Sequence, residues 1–113
     1  MTIQQIAQRL GLQVKAGARH LTNDVTKGYV SDLLSDVMAN AGEGDLWVTL
    51  QIHQNIVAVA VMKSLGAIVL VNGRQPDEAT LEKAEKEGIP LLVSELPAFE
   101  LVGKLYEMGI RGS

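Results

Sequence analysis

The sequence predicts an α/β protein, because strand-like and helix-like segments alternate along most of the chain. Three short apolar runs, at residues 46–50, 67–71 and 91–93, are each followed by a stretch with helical periodicity. Glycines end the helical stretches and apolar residues follow at once, which is the usual order where a crossover helix returns to a sheet. Repeated strand–helix units build parallel sheets with helices on their faces. We therefore expect a three-layer-like α/β domain with a mostly parallel central sheet.

The chain opens with a segment typical of a short amphipathic N-terminal helix. Ile3, Ile6, Ala7 and Leu10 recur at helical spacing, and Gly11 follows as a C-cap. This helix is expected to be an appendage to the strand–helix repeats.

Two short strands are expected next, at residues 12–16 and 25–29, where apolar and polar residues alternate. The polar stretch of residues 17–24 joins them. Ser31 then offers a favourable N-cap for a helix that Gly42 ends. The apolar stripe expected for this helix comprises Leu33, Leu34, Val37, Met38 and Ala41.

Residues 56–62 carry only apolar side chains and lie between two predicted parallel strands. Parallel strands cannot be joined by a hairpin, so the segment is predicted to be a crossover helix despite its β-branched content. A helix that is apolar on every side is buried, yet a sheet covers only one side of it. We expect a second copy of the chain to cover the other side across a two-fold axis. The alternative is that the N-terminal helix folds back over it within one chain.

The last two helices differ in their surfaces. Glu82, Lys86 and their charged neighbours give the first of them a solvated face, with a pair at i,i+4 spacing. Trp47 is expected in the core, and Tyr106 near the rim. The residues of the last helix that are expected to be core are Phe99, Leu101, Val102, Leu105 and Met108.

Composition excludes several classes of function. The 113 residues include 10 Lys and Arg against 13 Asp and Glu, a net charge of −3 with no basic run. Electrostatic capture of nucleic acid or of an anionic membrane is therefore disfavoured. No cysteine is present, which excludes disulfides, Cys-based metal sites and thiol catalysis. With no leader-like start and no membrane-length apolar stretch, we expect one cytoplasmic domain spanning residues 1–113.

Motifs for common chemistries are missing. Gly103-Lys104 is the only Gly-Lys pair, and it lacks the earlier glycine and the following hydroxyl residue of a phosphate-binding loop. His20 and His53 stand in different segments, without a second ligand at metal-binding spacing. We expect no catalytic residues, no metal site and no cofactor.

Three loops are expected at one edge of the sheet, at residues 51–55, 72–76 and 94–97, because the carboxyl ends of parallel strands meet there. Gly73 permits a twisted backbone, and Arg74 could grip a carboxylate or phosphate with its planar fork. The carboxylates of Asp77 and Glu78 already satisfy the positive end of the next helix, so the loop can also be explained without a bound ligand. The candidate ligand-binding residues are Thr49, Gln51, His53, Asn72, Gly73, Arg74 and Ser94.

The segment Tyr-Val-Ser-Asp-Leu-Leu-Ser-Asp-Val at residues 29–37 resembles a DRTGG domain. The resemblance continues through residues 46–49, 67–73 and 88–93 and the last helix, so it covers nearly all of the chain. Such domains are similar to the N-terminal domain of HPr kinase/phosphorylase and occur beside CBS pairs in regulated pyrophosphatases. The resemblance implies a regulatory or assembly module whose catalytic machinery lies elsewhere.

This chain departs from the family pattern at two turns. The expected Asp-Arg pair is Gln51-Ile52 here, and the expected Thr-Gly-Gly turn is Val71-Asn72-Gly73. Charge-based recognition at Gln51-Ile52 is therefore not expected, whereas the strand–loop–helix periodicity is intact.

These observations predict a non-catalytic regulatory or ligand-binding module that forms a homodimer. It would sense a small polar or anionic ligand, or dock a protein partner, through the three loops. Two alternatives stay open: a structural or dimerisation scaffold without ligand, and a small hydrolase or transferase with His53 as its base.

Overall fold

A computed structural model describes residues Met1–Ser113 as one six-stranded sheet with five α-helices. The predicted α/β class is thereby confirmed. In chain order the elements are α1 (Ile3–Leu10), β1 (Gln13–Ala16), a 3₁₀ turn (Ala18–His20), β2 (Lys27–Val30), α2 (Leu34–Asn40), β3 (Leu46–Thr49), α3 (Asn55–Lys63), β4 (Ala67–Leu70), α4 (Glu78–Glu87), β5 (Leu91–Val93), α5 (Ala98–Glu107) and β6 (Arg111–Gly112).

The strand order across the sheet is β1-β5-β4-β3-β2-β6. Strands β2 to β5 lie side by side in chain order and run parallel. Strand β1 is antiparallel to β5 at one edge, and β6 is parallel to β2 at the other. The mostly parallel sheet agrees with the prediction, and its two added edge strands come from the two ends of the chain.

Helices cover both faces of the sheet, as a three-layer arrangement requires. Trp47 and Ile68 point into a core with α2, α3 and α4, whereas Leu46 and Val48 point into a second core with α1 and α5. The connections from β2 through β5 all advance in one direction, so right-handed crossovers place their helices on one face. The connection from β5 to β6 returns across the sheet in the opposite direction. The same handedness therefore places α5 on the opposite face.

The apolar segment predicted as a crossover helix is α3, and that prediction is confirmed. Ile56 and Val57 are fully buried, and α2 and α4 pack beside the helix. Helix α1 lies in the core on the other face of the sheet, so the alternative in which it covers α3 is wrong. The neighbouring helices reduce the uncovered part of α3 mainly to Val61 and Met62, which are 43% and 68% exposed.

Helix α2 begins later than the sequence predicts. Ser31 directly follows β2 and is held against β3, because its N–H donates to the Val48 carbonyl (3.2 Å) and its carbonyl accepts from the Trp47 indole (2.9 Å). Its hydroxyl accepts from the Leu33 N–H (3.2 Å) in a short turn instead of capping the helix. Leu33 consequently lies before the helix and is exposed, and not part of its buried stripe.

Phe99 is the clearest error in the predicted core, since 87% of its surface is exposed. Leu101 and Leu105 are the buried residues of α5. Residues two apart on a helix lie about 200° apart around its axis, so burying Leu101 turns Phe99 away from the sheet. Trp47 is fully buried, as predicted. None of the five helices has the length and apolar character needed to cross a bilayer.

Candidate functional site

The strand order creates a place where neighbouring connections diverge. After β4 the chain passes to α4 on one face, and after β5 it passes to α5 on the other. The carboxyl ends of β4 and β5 therefore lie at the point where the winding direction reverses, and we name the region between the two loops that follow them the β4–β5 crevice. Open α/β sheets usually bind their ligands at such a switch point.

A left-handed turn forms one wall of this β4–β5 crevice. Asn72 and Gly73 have φ values of 58° and 64°, a conformation that favours Gly and tolerates Asn. The turn directs the Gly73 N–H to the Ser94 carbonyl (2.8 Å) and the Asn72 N–H to the Leu96 carbonyl (2.9 Å). The Ser94 hydroxyl accepts from the Leu96 N–H (3.1 Å). The two loops are therefore joined at the back of the crevice.

Opposite charges flank the mouth of the crevice. The Glu95 carboxylate lies directly against Gly73, where a Cβ would push it aside. Arg74 is exposed, and its guanidinium forms no hydrogen bond and no ion pair within the chain. A ligand that reaches this crevice would therefore meet one uncommitted cation and one carboxylate.

Thr49 and Gln51, at the end of β3, are already engaged with Asp32. The carboxylate of Asp32 accepts from the Thr49 hydroxyl (2.9 Å) and the Leu50 N–H (2.7 Å). The Gln51 amide donates to the Asp32 carbonyl (2.9 Å). These contacts link the loop after β2 to the loop after β3, so a ligand would have to displace them to use the polar groups of Thr49 and Gln51.

His53 forms a separate pair with the start of α4. Its Nδ1 lies 2.6 Å from Asp77 Oδ2, and both side chains remain partly exposed. The Asp77 N–H and the buried Thr80 hydroxyl both donate to the Ile52 carbonyl, at 3.1 and 2.7 Å. The loop after β3 is thus fastened to the first turn of α4, with the imidazole held at the surface.

The structure places all seven predicted residues at the carboxyl edge of the sheet, in three groups. Asn72, Gly73, Arg74 and Ser94 border the β4–β5 crevice, while the other three belong to the Asp32 and Asp77 contacts described above. Sequence reasoning missed Asp32. The available signal was its position two residues after β2, at the same edge as the other loops.

A hydrogen-bonded cluster joins β2 to α2. The Tyr29 hydroxyl lies 2.8 and 2.9 Å from the two carboxylate oxygens of Asp36, which also accepts from the Asn40 amide (2.8 Å). The hydrogen bond from Tyr29 lowers the pKa of Asp36, and the same bond raises the pKa of Tyr29. The cluster thus favours an ionised Asp36 and a neutral Tyr29. Its role is structural, because it joins β2 to α2.

Two further features of the surface concern an apolar groove and metal binding. An apolar groove of about 200 Å³ runs between β2, β6 and α5. No group of three or more His, Asp or Glu side chains is arranged to hold a metal ion.

Comparison with solved structures shows a likeness of fold. No protein-family model and no curated protein matches the sequence. Among solved structures, the chain is similar to the CBS and DRTGG domains of the regulatory region of Clostridium perfringens pyrophosphatase, complexed with the activator diadenosine tetraphosphate. The identity is 15% and the TM-score 0.72, over 90% of this chain and 44% of that one. The chain therefore spans less than half of its neighbour, and shares with it an α/β fold of the kind found in a CBS and DRTGG regulatory region.

Proposed function

We propose that this chain is a non-catalytic regulatory module that binds a small polar or anionic ligand in the β4–β5 crevice. Arg74 carries the proposal. Its exposed guanidinium follows the left-handed turn at Asn72 and Gly73 and has no partner within the chain. A planar guanidinium suits carboxylate and phosphate groups, and the switch point of an α/β sheet is the usual place for such a ligand.

The regulatory part of the proposal draws support from the structural likeness. The similar protein is the regulatory region of an enzyme, and it was crystallised with an activating dinucleotide. At 15% identity the ligand of that protein serves here as a probe and not as an assignment. Diadenosine tetraphosphate, ATP and inorganic phosphate together test anions that differ in size but share the phosphate group.

Calorimetric titration of the three anions tests the proposal directly. Arg74→Ala should weaken binding by about 1.5–3 kcal/mol, because a charge-assisted hydrogen bond to the anion is lost. Glu95→Gln should strengthen it, because the carboxylate beside Gly73 repels an anion. Arg9→Ala, an exposed arginine on α1, is the matched control and should bind like the unaltered protein.

Two results would contradict this assignment. Absence of binding by all three anions favours the scaffold without ligand. Binding that Arg74→Ala leaves unchanged would place the anion elsewhere on the molecule.

We further propose that the module works as a homodimer through the end of α3. Val61 and Met62 support this, because they leave apolar surface uncovered after α2 and α4 have packed against the helix. Sedimentation should give a mass near twice 12.2 kDa, and Val61→Glu should return it to the monomer value. Val14→Glu is the matched control, since Val14 is 38% exposed against 43% for Val61. A monomer at tens of micromolar protein would contradict the dimer.

The His53–Asp77 pair favours a second candidate, a small hydrolase or transferase. A carboxylate bound to Nδ1 orients an imidazole so that its other nitrogen faces the solvent, which is the arrangement of a general base. Hydrolysis of p-nitrophenyl acetate or p-nitrophenyl phosphate that His53→Ala abolishes would support this candidate. Turnover that persists in His53→Ala would exclude the pair as its source.

A further inference from the structure

The loops at the carboxyl edge of the sheet contain few charged side chains, and the fold engages most of them. These loops follow β2 to β5 and comprise residues 31–33, 50–54, 71–77 and 94–97. They contain three carboxylates and two basic side chains. Asp32 accepts two hydrogen bonds from the end of β3 and the residue after it, and Asp77 lies 2.6 Å from His53. Arg74 and Glu95 are the two charged side chains that remain without a partner.

The two uncommitted charges have opposite signs and lie on adjoining loops. The Glu95 carboxylate lies directly against Gly73, which precedes Arg74 in the chain. Neighbouring Cα atoms are about 3.8 Å apart, so the carboxylate lies within reach of the arginine side chain. Arg74 and Glu95 nevertheless form no ion pair with each other. A small molecule between the two loops therefore meets both charges.

The backbone of the turn offers no further donors to an anion. Phosphate sites usually aim several free backbone N–H groups at the ligand. Here the N–H groups of Asn72 and Gly73 donate to carbonyls of the loop after β5 (2.9 and 2.8 Å), and that of Arg74 donates to the Val71 carbonyl (3.1 Å). The capacity to bind an anion thus rests on one guanidinium, which suits a single carboxylate better than a multiply charged phosphate.

We propose that the ligand of the β4–β5 crevice is a small zwitterion of the amino acid type, whose carboxylate binds Arg74 and whose ammonium group binds Glu95. This inference rests on the function proposed above and names the chemical class of its ligand. A guanidinium pairs with a carboxylate through two parallel hydrogen bonds, and an ammonium group has three N–H donors for Glu95.

Ligands that carry one sign of charge fit this pair of side chains less well. An anion bound to Arg74 lies close to the Glu95 carboxylate and is repelled by it, whereas a cation bound to Glu95 is repelled by Arg74. An uncharged molecule engages neither charge. Only a ligand with both signs leaves no like charges facing each other.

The test is an amide NMR titration of the full chain at pH 7, where a free amino acid carries both charges. The probes are the twenty L-amino acids, together with β-alanine and γ-aminobutyrate, which hold the two charges further apart. We expect at least one of these probes to shift the amide signals of Gly73, Arg74 and Glu95.

The tightest amino acid is then compared with two of its derivatives. Its N-acetyl form lacks the ammonium charge, and its carboxamide lacks the carboxylate. Each derivative should bind about five- to tenfold more weakly, because it loses one charge-assisted contact at a partly exposed site.

Glu95→Gln gives the sharpest readout, because zwitterions and simple anions should respond in opposite directions. This variant should weaken binding of the amino acid about five- to tenfold and strengthen binding of inorganic phosphate. Arg74→Ala should weaken both. Glu43→Gln, which removes an exposed carboxylate from the loop before β3, is the matched control and should change neither. All three altered side chains are exposed, and circular dichroism checks the fold of each variant.

The inference is overturned if no amino acid shifts the crevice signals, if both derivatives bind as well as the parent, or if Glu95→Gln leaves amino acid binding unchanged. Shifts of the crevice signals with phosphate or ATP but with no amino acid would overturn this inference and leave the proposed function standing. Absence of shifts with all of these ligands would overturn both.

Discussion

Gly17 lies against the backbone of the segment that leads into β5. Its φ of 73° is left-handed, and a Cβ at this position would collide with the carbonyl of Ile89 and the nitrogen of Pro90. Its N–H donates to the Glu85 carboxylate (2.9 Å), which fixes the end of β1 against α4. The position is therefore restricted both by backbone conformation and by space.

Comparison of Gly17→Ala with Gly44→Ala separates these two restrictions. Gly44 also has a left-handed φ, 80°, but nothing lies within 4 Å of a Cβ there. Gly44→Ala should lower the free energy of unfolding by about 1–2 kcal/mol, the cost of left-handed backbone alone. Gly17→Ala should cost clearly more, because backbone must also move. Urea denaturation measures both, and equal losses would contradict the close contact.

The Tyr29–Asp36 hydrogen bond should make stability depend on pH in a predictable direction. The pKa of Asp36 is lowered by Tyr29, so this stabilisation is complete above the ordinary carboxyl value of about 3.9 and is lost as pH falls through the folded pKa. The pKa of Tyr29 is raised by Asp36, so its contribution is complete below about 10 and is lost as pH rises through the folded pKa.

Tyr29→Phe exposes this dependence when its unfolding free energy is compared with that of the unaltered protein across pH. The difference in unfolding free energy between the two proteins should be largest near neutral pH and should shrink at both low and high pH. Urea titrations at a series of pH values supply the measurement. Tyr106→Phe, an exposed tyrosine whose hydroxyl has no such carboxylate partner, is the control and should give a flat difference. A flat profile for Tyr29→Phe would contradict the hydrogen bond.

At the scale of the elements, α5 contains a matched pair of large apolar residues with opposite environments. Leu101 is fully buried against the sheet, and Phe99 is almost wholly exposed. Leu101→Ala should therefore lower the free energy of unfolding by about 2–5 kcal/mol, the usual cost of truncating a buried leucine. Phe99→Ala should change it by less than about 0.5 kcal/mol. Similar losses for the two variants would contradict the orientation of the helix.

The elements that the sequence pattern predicted best are those set by connectivity. Helix α3 was predictable despite its β-branched composition, because two parallel strands need a crossover between them. Phe99 was not predictable as a surface residue, because periodicity reports spacing and not the angle at which a helix meets the sheet. The start of α2 was misplaced because Ser31 is held by Val48 and Trp47, contacts that lie far away in sequence.

At the scale of the whole molecule, strand order decides where the candidate site lies. The strand–helix repeats in the sequence predicted the carboxyl edge of the sheet, its loops and the position of Arg74 among them. They did not predict the switch point between β4 and β5, because that point depends on β6 returning to pair with β2. Strand β6 consists of only Arg111–Gly112, which is too short to leave a pattern in the sequence.

The same strand order separates the β4–β5 crevice from the apolar groove between β2, β6 and α5. The crevice lies near one side of the sheet, and the groove lies toward the other. The crevice combines Arg74 with a backbone turn, whereas the groove is apolar.

The most direct measurement of the central claim is an amide NMR titration of this 12.2 kDa chain with diadenosine tetraphosphate and, separately, with inorganic phosphate. We expect the largest shifts on Gly73, Arg74 and Glu95, at the two sides of the β4–β5 crevice, and we expect Arg74→Ala to remove them. No shifts with either anion, or shifts centred on the apolar groove between β2, β6 and α5, would contradict the assignment of the crevice as the ligand site.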